Sequence, residues 1–198
     1  VIIKKLKEKN LFSIFESIEQ PLIPVVHAMT EHGTMLDRNY LKKLSEDYHK
    51  KLDTLAVEIF KNSNKEFNLN SPKQLSEFLF GELGLKPKGK KNKTGNFSTK
   101  SEVLEELAID NPLVQKIIDH RELQKLLSTY IDALPSLLDK GNRLHAQFLQ
   151  HGTTTGRFSS QNPNLQNIPI RSDLGRAIRS AFIRSEERRV GKECLRLC

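Results

Sequence analysis

Residues 153–183 read TTTGRFSSQNPNLQNIPIRSDLGRAIRSAFI, and this stretch governs the reading of everything around it. Four arginines, Arg157, Arg171, Arg176 and Arg179, are interleaved with the hydroxyls and amides of Ser159, Ser160, Asn162, Asn164, Gln166 and Asn167. Polar groups in that density suit phosphate, sugar and base edges better than the inside of a core. The stretch predicts a surface with a partner.

Immediately upstream, Arg143 to Gln150 alternates, with Leu144, Ala146 and Phe148 on one side and Arg143, His145 and Gln147 on the other, as a half-buried strand does. His145 has no metal-ligating neighbour at a useful spacing and reads as structural. Further back the pattern is helical. Asn111-Pro112 supplies a cap and a first helical residue, and Ile117, Leu123, Leu127, Tyr130, Ile131 and Leu134 then predict a helix to about residue 134. Arg121, Lys125 and Ser128 share another face; two like charges four residues apart favour a bound anion there, although a solvated face has the same pattern. Thr99 and Glu102 predict a capping box for a helix carrying Val103, Leu104 and Leu107.

Ser71, Pro72 and Gln74 predict another helix start, with Leu75, Phe78, Leu79 and Leu83 inward and Gly84 at its end. GLKPKGKKNKTGNFST follows, where Lys86, Lys88, Lys90, Lys91 and Lys93 crowd a proline and glycines. Gly84 with Gly89-Lys90 mimics a phosphate-binding loop, but Lys91 stands where Ser or Thr should hold a metal, and a helix precedes it instead of a strand. A solvated lysine loop and a grip on a nucleic-acid backbone both fit. Before it, Leu41, Leu44, Tyr48, Leu52, Leu55 and Ile59 form one stripe of a long helix that Asp37 can cap. Residues 11–29 predict a short helix, a break at Pro21 and Pro24, and a second helix.

The composition agrees with a charged partner: 198 residues carry a formal charge of +8, with 37% apolar and 28% charged residues. No run approaches transmembrane length and residues 1–20 have no signal-peptide pattern, which predicts a cytoplasmic protein without membrane contact. Both cysteines, Cys194 and Cys198, fall in RSEERRVGKECLRLC, which departs from the preceding style and reads as a non-native tail at 184–198. No metal site is predicted there.

Thr155 to Pro169, TGRFSSQNPNLQNIP, resembles the signature ahead of the catalytic core of family A DNA polymerases, the bacterial DNA polymerase I group. The likeness continues through RELQKLLSTYIDALPSLL, FNLNSPKQLSEFLFGELGL and PLIPVVHAMTEHGTMLD, covering about residues 11 to 183. It implies an α+β fold: a lead-in at 1–37, a helical thumb at 38–138 with a basic tip loop at 86–98, and the first strands of a truncated palm at 139–183. It implies DNA binding by Lys90, Lys91, Lys93, Arg121, Lys125, Ser128, Arg157, Asn164, Gln166, Asn167 and Arg171. The partners implied are primer-template DNA and, in the full-length enzyme, deoxynucleoside triphosphates with Mg2+, acting in replication and repair as a monomer. The metal-binding aspartates of that family normally lie beyond Ile183, so the resemblance implies no catalytic or metal residue here and no synthesis by this chain alone. A non-enzymatic nucleic-acid-binding module is the alternative. A nuclease fits poorly, since residues 1–20 offer only Glu8, Glu16 and Glu19.

Overall fold

The structure is a computed structural model describing residues 2–63, 66–86, 97–170 and 172–183. Lys90, Lys91, Lys93, most of the lysine loop, Arg171 and the tail at 184–198 lie outside the described residues. The chain divides into two compact units, Val1–Leu41 with Leu134–Cys198, and Lys42–Ala133. The elements are helical with short strands, an α+β arrangement.

The Lys42–Ala133 unit holds most of α4 (Arg38–Phe60), together with α5 (Pro72–Glu77), α6 (Ser101–Ala108) and α7 (Pro112–Leu126). The heptad-like stripe predicted for α4 is observed, with Leu41, Leu44, Leu52 and Ile59 buried, and its cap is Asp37, whose Oδ1 accepts the Tyr40 N–H at 2.9 Å. Ile59, Leu69, Leu75, Phe78, Leu79, Leu104, Val114 and Ile117 make this unit's core. Phe67 bridges its aromatic part, 5.5 Å from Phe60 and 4.7 Å from Phe78 between ring centroids. Asn111 caps α7 as expected, accepting Leu113 N–H at 3.0 Å ahead of Pro112.

Two caps differ from expectation. Gln74 reaches past Ser71 to accept the Asn68 N–H at 2.6 Å, so its box closes on the preceding turn; Ser71 Oγ accepts Gln74 N–H at 3.5 Å. At α6 the cap residue is Lys100 and no side chain fills the role. Thr99 is buried and its carbonyl accepts Arg121 Nη1 at 2.8 Å, which anchors that residue inside the unit and delays the helix by one residue. After α7 the helix widens into a π turn, Leu127–Ile131, and Asp132 emerges from it to accept Ser45 Oγ at 2.7 Å and meet His49 Nε2 at 3.1 Å.

In the other unit, the break expected at Pro21 and Pro24 is absent. Helical backbone runs on from α2 (Phe12–Ile14) through a π turn, Phe15–Glu19, into α3 (Gln20–His32). The wider turn, with Gln20 N–H bonded to Phe15 O, stands directly before the two residues that have no N–H to give, so the ladder is interrupted without the helix ending. The strand expected over 143–150 is split into β2 (Arg143–Leu144) and β3 (Gln147–Leu149). β2 pairs antiparallel with β1 (Thr34–Met35), whereas β3 pairs with β4 (Ser159–Gln161). The chain beside β1 is held on its other side too, through Ile183 N–H to Met35 O at 2.9 Å and Asp37 N–H to Ala181 O at 2.8 Å.

The split falls at His145, as its side chain turns to bridge two elements. Nδ1 lies 2.9 Å from the Thr30 carbonyl at the end of α3, and Nε2 lies 3.1 Å from Asp139 Oδ2. An imidazole donates from both nitrogens only when protonated, so the Thr30 carbonyl first and the Asp139 carboxylate second raise the His145 pKa above 6.5. Asp139 is lowered from 3.8, chiefly by the Arg143 N–H and then by His145. The signs follow. A raised histidine gives stability that is complete below 6.5 and is lost as pH climbs through its folded pKa, whereas a lowered aspartate gives stability that is lost as pH falls below 3.8. An NMR titration should therefore find His145 with a pKa above 6.5, and His145→Ala should remove part of the alkaline loss of stability in this unit. A titration at or below 6.5 contradicts the bridge.

Candidate nucleic-acid interface

The motif that dominated the sequence folds as a hairpin, β3 against β4, in the register Gln147 with Gln161, Phe148 with Ser160 and Leu149 with Ser159. Its first loop is tied down at both ends. Gln150 Nε2 donates to the Glu19 backbone oxygen at 3.0 Å and to Glu19 Oε2 at 2.9 Å. Gly152 packs so closely on the hairpin that a Cβ there would collide with Ser159 Oγ. Thr153 Oγ1 then donates to the Arg157 carbonyl at 2.7 Å, closing a turn in which Gly156 has φ +74°, a left-handed conformation that glycine adopts without strain. A Cβ at Gly156 would meet nothing within 4 Å, so its absence leaves open space beside the backbone.

Arg157 leaves this turn exposed, and its guanidinium makes no hydrogen bond or ion pair among the described residues. Arg176 and Arg179 of the motif differ. Arg176 is paired with Asp173 on α8 (Asp173–Ser180), and Arg179 has its Nε buried without a partner among the described residues. Ser172 caps α8 through Gly175 N–H at 3.2 Å.

Beyond β4 the chain makes a tight turn carrying Asn164, Gln166 and Asn167. Ser160 is buried, and its Oγ donates to Pro163 O at 3.1 Å while accepting Leu165 N–H at 3.4 Å. Gln166 straps the turn from outside: Nε2 donates to Phe158 O at 2.7 Å and Oε1 accepts Ser160 N–H at 3.2 Å. Asn164 Oδ1 accepts Gln166 N–H at 3.0 Å. Asn164 and Asn167 are exposed, Asn164 with its amide nitrogen unused and Asn167 without any side-chain bond among the described residues. Gln166, by contrast, uses both ends of its amide on the hairpin backbone.

In the Lys42–Ala133 unit, Lys125 and Ser128 are exposed, and Ser128 Oγ donates to Lys125 O at 3.2 Å. Arg121 does not share that exposure: it is half-buried on Thr99. Its neighbour His120 is buried with Nδ1 unpartnered, and burial first, then the Arg121 charge, lower its pKa. Among the described residues no three His, Cys, Asp or Glu side chains gather to hold a metal ion, and no helix is long and apolar enough to cross a membrane. Gln147, Gln150 and Thr153 escaped the sequence reading. Only Gln147 had a signal, its place on the polar side of the alternating strand; the bonds of all three are long-range or depend on a turn.

A family model, DNA polymerase family A, matches residues 38–192. The thermostable DNA polymerase I of Thermus aquaticus is 47% identical over 180 residues, 90% of this chain and 22% of that protein. DNA polymerase I of Treponema pallidum is 46% identical over 178 residues, 90% of this chain and 18% of that protein. The chain thus spans about a fifth of the length of the curated relatives it matches. The solved POL domain of Pol1 from M. smegmatis, in complex with DNA primer-template and dNTP, superposes with a TM-score of 0.84 at 35% identity, covering 93% of this chain and 32% of that one.

Because Ser160 serves both a carbonyl and an N–H of the turn, Ser160→Ala should cost about 1–3 kcal/mol of stability, the range for leaving a buried polar group unpaired. Chemical denaturation checks this, and an unchanged midpoint would contradict the assigned role of the hydroxyl.

Proposed function

The chain belongs to DNA polymerase family A, and from that premise we propose that it forms the primer-template grip of a DNA-directed DNA polymerase, a nucleotidyltransferase of DNA replication and repair. The observation that carries the reading is Arg157: an exposed cation without a partner among the described residues, on a turn fixed by Thr153. A side chain so placed can reach the minor groove, where purine N3 and pyrimidine O2 accept hydrogen bonds in every correctly formed pair. It tests geometry without reading sequence. Asn164 and Asn167 add exposed amide donors from the same motif, and Gly156 leaves room for close approach.

In this reading residues 38–138 are the thumb and 139–183 the start of the palm. Lys125 and Ser128 contact phosphates, as do Lys90, Lys91 and Lys93 of the tip loop, and Arg121 steadies the chain entering α6 while adding positive potential. Arg171 contacts the primer phosphates or the incoming nucleotide. Phosphate contacts supply affinity that is indifferent to sequence, as copying any template requires. The M. smegmatis neighbour, solved with primer-template and dNTP, supports both partners.

Family A DNA polymerases use divalent metal ions. We take the ion to be Mg2+, which in this chemistry stabilises the attacking and leaving oxygens of phosphoryl transfer. The described residues of this chain bring no such ligand set together, so their part is to bind and test the primer end. The protein acts in the cytoplasm as a monomer.

Fluorescence anisotropy with a primer-template should give binding whose log affinity falls linearly with log salt. Lys125→Ala should reduce that slope by roughly one, and alanine at Lys90, Lys91 and Lys93 by up to roughly three, with equal losses on different template sequences. Salt-independent binding, or losses that depend on sequence, would sink the phosphate-grip reading.

A further inference from the structure

Gln147 stands on β3 opposite Gln161, on the exposed side of the hairpin. Its Oε1 accepts two amide donors at once, Gln161 Nε2 at 3.2 Å and Asn162 Nδ2 at 3.1 Å, which uses both lone pairs of that oxygen. Asn162 is the residue at which the chain leaves β4. Its φ of 53° puts it in the left-handed region, where asparagine is tolerated more readily than most residues but still gains from an anchor. The turn it opens ends in Asn164, Gln166 and Asn167. Ser160 and Gln166 hold that turn from the side of β4. Gln147 holds it from the neighbouring strand.

We propose that Gln147 is a positioning residue for the DNA-contacting turn: by fixing Gln161 and the left-handed Asn162 with one carbonyl oxygen, it sets the direction in which Asn164 and Asn167 are presented. This role rests on the proposed grip on primer-template DNA. Gln147 acts through protein atoms and not through the nucleic acid. Its amide nitrogen takes no part in the clamp, so a glutamate in its place would preserve the acceptor, and a leucine of similar size would abolish it.

The test uses the whole 198-residue chain and a fluorescent primer-template. Gln147→Leu should weaken binding roughly fivefold to tenfold, the scale of one or two net hydrogen bonds. In a chain already carrying Asn164→Ala and Asn167→Ala, the same substitution should cause almost no further loss, because the groups it positions are gone. Additive losses would overturn the proposal by showing that Gln147 acts independently of Asn164 and Asn167. In 1H–15N spectra of the free chain, Gln147→Leu should move the side-chain amide signals of Gln161, Asn162 and Asn164, and Gln147→Glu should leave those of Gln161 and Asn162 bonded and near their original positions. Signals that stay in place in the leucine variant overturn the clamp. If the unaltered chain binds no primer-template, the proposed function fails, while the spectra still decide whether Gln147 orients the turn.

Discussion

An exposed turn cannot bury its own backbone, yet a turn held in one conformation needs its polar backbone groups satisfied, and neighbouring side chains must do it. That constraint governs residues 153–167. Thr153 takes the Arg157 carbonyl, Ser160 takes the Pro163 carbonyl and the Leu165 N–H, and Gln166 takes the Phe158 carbonyl and the Ser160 N–H. None of these groups is supplied by a long strand, since β3 and β4 have only three residues each. Short polar side chains do here what a ladder does elsewhere. This need accounts for much of the density of Ser, Thr, Asn and Gln in the motif.

The two units meet different demands with different materials. The Lys42–Ala133 unit has a core of phenylalanine, leucine and isoleucine, and its charged residues are free to remain on the surface. Its polar internal bonds lie where helices begin or widen, at Asn111, at Thr99 with Arg121, and at Asp132 after the π turn. Among the described residues the other unit has four strands of two or three residues and relies on side chains spanning long sequence distances, such as Arg143 to the His32 carbonyl, His145 to Thr30, and Gln150 to Glu19. Fixing residues so far apart in sequence costs chain entropy, which a helical unit with local contacts largely avoids.

This contrast explains what the sequence could disclose. α4 was legible because its burial repeats every three or four residues, and the start of α7 because Asn-Pro specifies a cap locally. The polar turn was legible from composition alone as an exposed segment. The splitting of β2 from β3 was not, because the alternation of Leu144, Ala146 and Phe148 is the same for one strand or two; what divides them is a bond from His145 to residues as much as 115 positions away. Pro21 and Pro24 signalled a break because the rule assumes a regular α-helical ladder, and a π turn relaxes that assumption. Thr99 looked like a cap until Arg121, 22 residues later, claimed its carbonyl. Gln166 looked like a DNA contact by type, and its position shows an amide already engaged at both ends.

Arg157 is significant for the opposite reason. Among the described residues Arg38 bonds Asn142, Arg121 bonds Thr99, Arg143 bonds the end of α3, Arg176 pairs with Asp173 and Arg179 keeps its Nε buried, so Arg157 differs from them in being both exposed and unbonded. A guanidinium offers five donors and gains from nearly any carbonyl within reach. Leaving Arg157 without one among the described residues, directly after a glycine in left-handed conformation and on a backbone fixed by Thr153, keeps the side chain available while holding its base still. Such an arrangement loses little conformational freedom in the backbone when an acceptor arrives from outside, so more of the interaction energy goes into binding. In the proposed reading the acceptor pattern is the one common to all base pairs, since one cation on a fixed base could find an N3 or O2 wherever a correctly shaped pair places it.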